Sequence, residues 1–253
     1  MDPAADDPDR LDLRGRTIVI TRPVGTAAGL VRKVRAAGGI PVRLPGLALR
    51  PLSGPAVRDA LRMALAADLV VFTSPAAVRY AARLEPLRLR GAAYAVGAGT
   101  AQALARHGIA ARVPTRQDSE GLLELLPVAS LRGKRTALVG AAGGRGLLRE
   151  RLLNAGGGLV EAVVYRRLPA RLDRRHLDPL ARLPADARVL VSSAEALANL
   201  QRSLPAPLWR RLCTAVVVAS SERLAAIARE AGFARVVIAA SARPDALLAA
   251  AAR

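Results

Sequence analysis

The sequence predicts an α/β protein of two similar lobes, each an open parallel sheet flanked by helices, with short linkers and a cleft between. Three observations predict it. Short continuous apolar runs (TIVI, DLVVF, AYAV, ALV, RVLV, AVVV) suit parallel strands buried on both faces. The segments between them carry apolar stripes and close on Gly38, Gly108, Gly156 and Gly232, where a helix C-cap belongs. The chain is also written twice, at an offset of 118–119 residues out of 253.

The paired segments follow in chain order. LRGRTIVITRP (residues 13–23) has a partner in LRGKRTALVGA (131–141). GLVRKVRAAGG (29–39) and GLLRERLLNAGGG (146–158) read as the helices that follow, and IPVRLPGLALRP (40–51) and LVEAVVYRRLP (159–169) as the next strands. VVFTSPAAV (70–78) is echoed by VLVSSAEAL (189–197): a strand, then a hydroxyl-bearing helix start. AYAVGAGTAQALARHGI (93–109) is echoed by AVVVASSERLAAIAREAGF (215–233). Alternating strands and helices argue for parallel sheets with helices on both sides.

Ligands of such sheets bind beyond the carboxyl ends of the strands. That rule selects six strand-to-helix turns: Thr21-Arg22, Thr73-Ser74, Gly97–Thr100, Gly140–Arg145, Ser192-Ser193 and Ser220-Ser221. They are rich in Ser, Thr and Gly and poor in ionisable groups. Backbone N–H groups at helix N-termini, with the dipole and Ser/Thr hydroxyls, make anion sites. At any single turn plain helix capping explains the Ser or Thr equally well; six turns on matching edges favour a ligand.

Composition excludes other chemistries. The single Cys213 rules out an internal disulfide and a cysteine zinc site, and His107 and His176 stand in no metal-binding pattern. No metal is expected. The Gly97/Gly99 turn has Gln102 where a dinucleotide fingerprint needs glycine, and GAAGGRG (140–146) lacks the Lys-Ser/Thr of a phosphate loop. Strand ends carry no clustered carboxylates, against glycosidase, two-metal and nucleotide-sugar transferase chemistry. Tyr165, at the crossover between lobes, is the proton-bearing candidate.

The net charge of +19 favours an anionic small-molecule substrate. Only Lys33 and Lys134 of the 39 basic residues are lysine, aromatic residues make up 2%, and no basic stripe with stacking aromatics appears, so nucleic-acid binding is not expected. MDPAADDPDR is acidic, without an apolar signal core, and no run is long enough to span a bilayer; a cytoplasmic protein is expected, and nothing demands more than a monomer.

LVGAAGGRGLLRERLLNAGGGLVEAVVYRR (138–167) resembles the mid-chain signature of uroporphyrinogen-III synthases. ITRP (20–23), VVFTSPAAV, AVGAGTAQAL (95–104), SEGLLELL (119–126) and VVASSERLAAIAREAGF (217–233) resemble other segments of that family, in the same order, across residues 17–249. Val139-Gly140 stands where members often have Arg-Gly, and Ala219–Glu222 where they have Gly-x-x-Thr. The resemblance implies that the chain crosses between lobes twice, through a two-strand linker. Residues 1–12 would be a disordered tail, 13–45 plus 168–253 a discontinuous lobe, and 46–165 a central lobe. It implies cofactor-independent closure of the linear tetrapyrrole hydroxymethylbilane to uroporphyrinogen III, with inversion of ring D. The site so expected has Tyr165 as proton donor and Arg22, Thr73, Ser74, Gly97, Thr100, Gly140, Arg145, Ser192, Ser193 and Ser221 holding the substrate. A non-catalytic two-lobed binder of an anionic small molecule is the alternative.

Overall fold

The computed structural model describes residues 11–116, 119–126, 131–143 and 146–253. Arg145 and residues 1–10 of the expected tail lie outside them. Leu11, which the tail was expected to include, packs against the core of its unit, and Asp12 pairs with Arg14 at 2.7 Å. The Arg14 guanidinium holds the Asp12 carboxyl down at about 2.

In chain order the elements are β1 (Thr17–Ile20), α1 (Ala28–Ala36), β2 (Ile40–Arg43), β3 (Leu47–Pro51), α2 (Pro55–Leu65), β4 (Leu69–Phe72), α3 (Pro75–Leu84), β5 (Ala92–Ala95), α4 (Ala98–Ala105), β6 (Ala111–Arg112) and α5 (Ser119–Leu125). Then follow β7 (Arg135–Ala141), α6 (Gly146–Asn154), β8 (Gly158–Pro169), α7 (Arg174–Ala181), β9 (Arg188–Val191), α8 (Ala194–Ser203), α9 (Ala206–Cys213), β10 (Val216–Ala219), α10 (Glu222–Glu230), β11 (Arg235–Ile238) and α11 (Pro244–Ala252). The chain forms two compact units: residues 1–49 with 168–253, and residues 50–167.

The first unit holds a sheet ordered β2-β1-β9-β10-β11; the second holds β3-β8-β7-β4-β5-β6. β1 and β7 are counterparts in the sequence repeat, as are β2 and β8, β9 and β4, and β10 and β5. Apart from β3, the two sheets therefore have one and the same order. Each is a hybrid: its first two strands come from one copy of the repeat and the rest from the other. Both follow the 2-1-3-4-5 order of doubly wound sheets, whose ligand crevice opens where the order reverses. That point falls between β1 and β9 in the first unit and between β7 and β4 in the second.

Side chains show why the strands are apolar throughout. Along β1, Val19 enters one core while Ile18 and Ile20 enter the other; β9 and β10 repeat this, with Val189, Val191 and Val217 on one side and Leu190 and Val218 on the opposite. Period-two alternation between two buried faces favours apolar residues at successive positions; the buried exceptions Thr17 and Thr136 stand near strand starts, and Thr136 Oγ1 donates to the Gly158 carbonyl at 3.3 Å. The glycines read as helix stops have φ between 74° and 102°, the left-handed region that relieves the last turn: Gly38, Gly108, Gly156 and Gly232. His176 completes a capping box with Asp173 at the start of α7. Cys213 packs at the edge of the first unit's core, and burial pushes its thiol up to about 11. Among the described residues no helix is long and apolar enough to cross a membrane, and no His/Cys/Asp/Glu group could hold a metal.

Candidate functional site

The reversal point of the second unit is built from the ends of β4 and β7. Thr73 directs both its N–H (3.1 Å) and its Oγ1 hydroxyl (3.2 Å) to the carbonyl of Val139, fastening the two strand ends together. Glycine at 140 leaves room for that hydroxyl, since a Cβ there would stand 2.3 Å from Thr73 Oγ1 and push it off the Val139 carbonyl. Ser74 follows in extended backbone as the N-cap of α3, its Oγ accepting the N–H of Ala77 at 3.0 Å, with Pro75 at the first helical position.

Tyr165 reaches this turn from β8. Gly140 pairs with Val163 but Ala141 pairs with Tyr165, so Val164 is an extra residue and the strand bulges. The bulge breaks the alternation of faces and turns Tyr165 inward. Its hydroxyl oxygen lies 3.0 Å from Ser74 Oγ. Its ring stacks on Tyr80 of α3, with centroids 5.3 Å apart and planes at 28°. The guanidinium groups of Arg79 and Arg83 each lie 5.7 Å from the Tyr80 ring centre, bringing positive charge beside the aromatic pair. Tyr165 is 5% exposed, whereas Ser74 is half-buried.

The third turn of this unit behaves differently from its sequence reading. Thr100 is 3% exposed and its N–H is taken by the Gly97 carbonyl at 2.9 Å, so this turn offers Gly97 to Gly99 at its surface and not the threonine. Gly97 caps α4 without a side chain.

In the first unit Thr21 is buried and donates to the Leu190 carbonyl at 2.7 Å, joining β1 to β9. Arg22 follows. Its Nη2 donates to the Ala242 carbonyl at 3.2 Å, its Nε is buried without a hydrogen-bond partner among the described residues, and burial lowers its pKa from the ordinary value. Ser193 and Ser221 cap α8 and α10, accepting the N–H groups of Ala196 at 3.2 Å and Leu224 at 3.4 Å; Ser192 is half-buried beside the first.

Three of the four serines read as anion ligands, Ser74, Ser193 and Ser221, thus also cap their helices, and Thr21 and Thr73 turn their hydroxyls onto the protein's own backbone. What sequence reasoning missed is the Ser74–Tyr165 bond and Tyr80. One signal was available: of the chain's three tyrosines, Tyr165 lies within one repeated segment and Tyr80 follows another, VVFTSPAAV, by two residues.

Hydroxyl- and glycine-rich turns stand at the reversal points of two doubly wound sheets, the class of fold that takes ligands at its strand ends. Residues 28–249 match the family model of uroporphyrinogen-III synthase HemD. The uroporphyrinogen-III synthase of Salmonella typhimurium is 33% identical over 247 residues, covering 92% of this chain and 98% of that protein. The Escherichia coli enzyme of the same name is 29% identical over 245 residues, covering 92% and 98%. Among solved structures, a mutant uroporphyrinogen III synthase from Thermus thermophilus superposes with a TM-score of 0.62 at 23% identity, covering 92% of this chain and 96% of that one. The Helicobacter pylori enzyme gives a TM-score of 0.57 at 18% identity, covering 92% and 97%; both likenesses concern the fold. The chain belongs to the uroporphyrinogen-III synthase family, enzymes of tetrapyrrole biosynthesis in the lyase class.

Proposed function

We propose that this chain is itself a uroporphyrinogen-III synthase, closing hydroxymethylbilane to uroporphyrinogen III with inversion of ring D. The observation that carries the reading is the family match over residues 28–249, which includes both reversal-point turns of the second unit, at Ser74 and Gly140, and Tyr165. The substrate is a flexible polycarboxylate, and it closes without help to the uninverted isomer. The enzyme's task is therefore to hold the chain so that ring D attacks through its substituted carbon, by way of a spiro intermediate. Positioning of this kind can lower a barrier by roughly 7–11 kcal/mol when the geometry is ideal, without strong acids or bases.

On this reading the carboxylates are held by Arg22 and by the turns at Ser74, Gly97, Gly140, Ser192-Ser193 and Ser221. Arg22 suits that work: its guanidinium is partly desolvated, which strengthens its pull on an anion. Tyr165 is the proton source for the leaving hydroxyl. The enzyme acts as a monomer in the cytoplasm without a cofactor, and sedimentation of the purified chain checks the first point. Nucleic acid is not a partner, so a filter-binding titration against salt should show no salt-dependent retention.

The deciding experiment incubates the purified chain with hydroxymethylbilane and separates the type I and type III products. Type III product is expected. Binding of the bilane with type I product alone, formed at the uncatalysed rate, overturns the reading in favour of a non-catalytic binder.

A further inference from the structure

We infer that Ser74 is the hydroxyl that touches the substrate's leaving group and that Tyr165 stands behind it as the proton reserve of a two-membered relay. The inference rests on the reading of Tyr165 as proton source and changes which atom meets the substrate. Three observations carry it.

The first is the count of hydrogen bonds at Ser74. A serine hydroxyl has two acceptor positions and one proton. Ser74 Oγ accepts the N–H of Ala77 at 3.0 Å and lies 3.0 Å from the Tyr165 hydroxyl oxygen. With Tyr165 donating, both acceptor positions are filled, and the proton of Ser74 is left over for a group outside the turn. The second is burial. Tyr165 is 5% exposed and Ser74 half-buried, so a ligand arriving at the end of β4 meets the serine first. The third is fixity. Tyr80 stacks on the Tyr165 ring at 5.3 Å, the bulge at Val164 sets the direction of β8, and the cap bond to Ala77 holds Ser74. The same cap bond places Ser74 Oγ at the positive end of α3, which favours negative charge left on the pair.

The step balances without any further reagent. The Ser74 proton passes to the leaving hydroxyl oxygen as the C–O bond breaks, the bonding electron pair goes to oxygen, and water departs. The phenolic proton of Tyr165 moves to Ser74 Oγ, leaving a phenolate beside the α3 N-terminus. When the last C–C bond has formed, the ring carbon sheds its proton to restore the pyrrole, and that proton returns through Ser74 to Tyr165.

The test measures kcat and KM for type III product with Tyr165→Phe, Ser74→Ala, Ser74→Asn, Ser74→Thr and the double variant Ser74→Ala/Tyr165→Phe, with a thermal melt of each. Asn caps a helix as well as Ser does but carries no hydroxyl, so Ser74→Asn separates the relay from the cap. Expected are losses in kcat of about 100-fold for Tyr165→Phe, Ser74→Ala and Ser74→Asn, the low end for general acid catalysis, with KM nearly constant. The double variant should be no slower than either single one, as for residues acting as one unit, and Ser74→Thr should recover most of the rate. If Tyr165→Phe keeps full rate, the assignment of Tyr165 as proton source falls and the relay with it. If Tyr165→Phe is slow while Ser74→Ala and Ser74→Asn are fast, Tyr165 meets the substrate itself and only the relay falls. Multiplying losses in the double variant also overturn the relay.

Discussion

At matched positions the two units secure a linker segment against the same helix by different means. In the second unit Tyr165, on β8, bonds to Ser74 and stacks on Tyr80 of α3. In the first unit the counterpart of β8 is β2, and the residue that meets the counterpart helix α8 is Gly46. Asn199 of α8, which stands 119 residues after Tyr80, donates its Nδ2 to the Gly46 carbonyl at 3.1 Å. The Gly46 N–H goes to the Thr21 carbonyl at 3.3 Å, and a Cβ on Gly46 would sit 2.2 Å from the Ala196 carbonyl oxygen. The first unit grips bare backbone where the second seats an aromatic ring with a hydroxyl. A duplicated scaffold thus keeps its sheet order and the matched capping serines Ser74 and Ser193, while the position shared by Gly46 and Tyr165 diverges into a backbone anchor on one side and a seated tyrosine on the other. That divergence accounts for a single tyrosine candidate in an otherwise repeated architecture.

The largest expected effect comes from forcing the anchor. Gly46→Ala drives a methyl group into the α8 backbone, which cannot yield as a side-chain tip can, and should cost more than about 3 kcal/mol in a urea melt, the upper end for overpacking. A wild-type melting curve would break the comparison at its strongest point. Next is a swap of one unit's residue into the other: Tyr80→Asn should cost about 3 kcal/mol, within the range for emptying a buried aromatic site, and should slow type III formation by freeing the Tyr165 ring. Stability lost with the rate unchanged would show that the stack supports the fold alone. Asn199→Leu leaves the Gly46 carbonyl buried without its donor, and about 2 kcal/mol is expected for such a group; hydrogen exchange at residues 44–47 should rise with it. The smallest loss belongs to the caps. Ser193→Ala should cost about 1 kcal/mol and raise KM with little change in kcat, in contrast to Ser74→Ala, because no tyrosine bonds to Ser193 among the described residues. A comparable fall in kcat for Ser193→Ala would erase the asymmetry between the units.

Much of this protein was legible in its residues because the signals are local. Apolar runs buried on both faces named the strands, glycines at φ > 0 named the helix ends, and Ser-Pro and Ser-Ala named the helix starts at Ser74 and Ser193. The repeat and the ordered motifs pointed to the family. The direction of a hydroxyl was less legible. Thr21 and Thr73 look like ligand groups in the sequence, yet both close the seam between neighbouring strands, and Thr100 packs inside. A turn's composition says that hydroxyls are present, not which way a strand end twists them.

Sequence alone determined the strands, the turns at their ends, the two-fold repetition and the excess of positive charge, since each depends on near neighbours or on simple sums. Only the tertiary structure decided the order of the strands within each sheet, and that a bulge at Val164 brings Tyr165 to Ser74 across 91 residues of chain. It alone decided that Gly46 is an anchor and not a spacer. The physical reason is the same in each case: pairing, bulging and close approach are contacts between distant segments, and their free energy is defined only once both partners are in place.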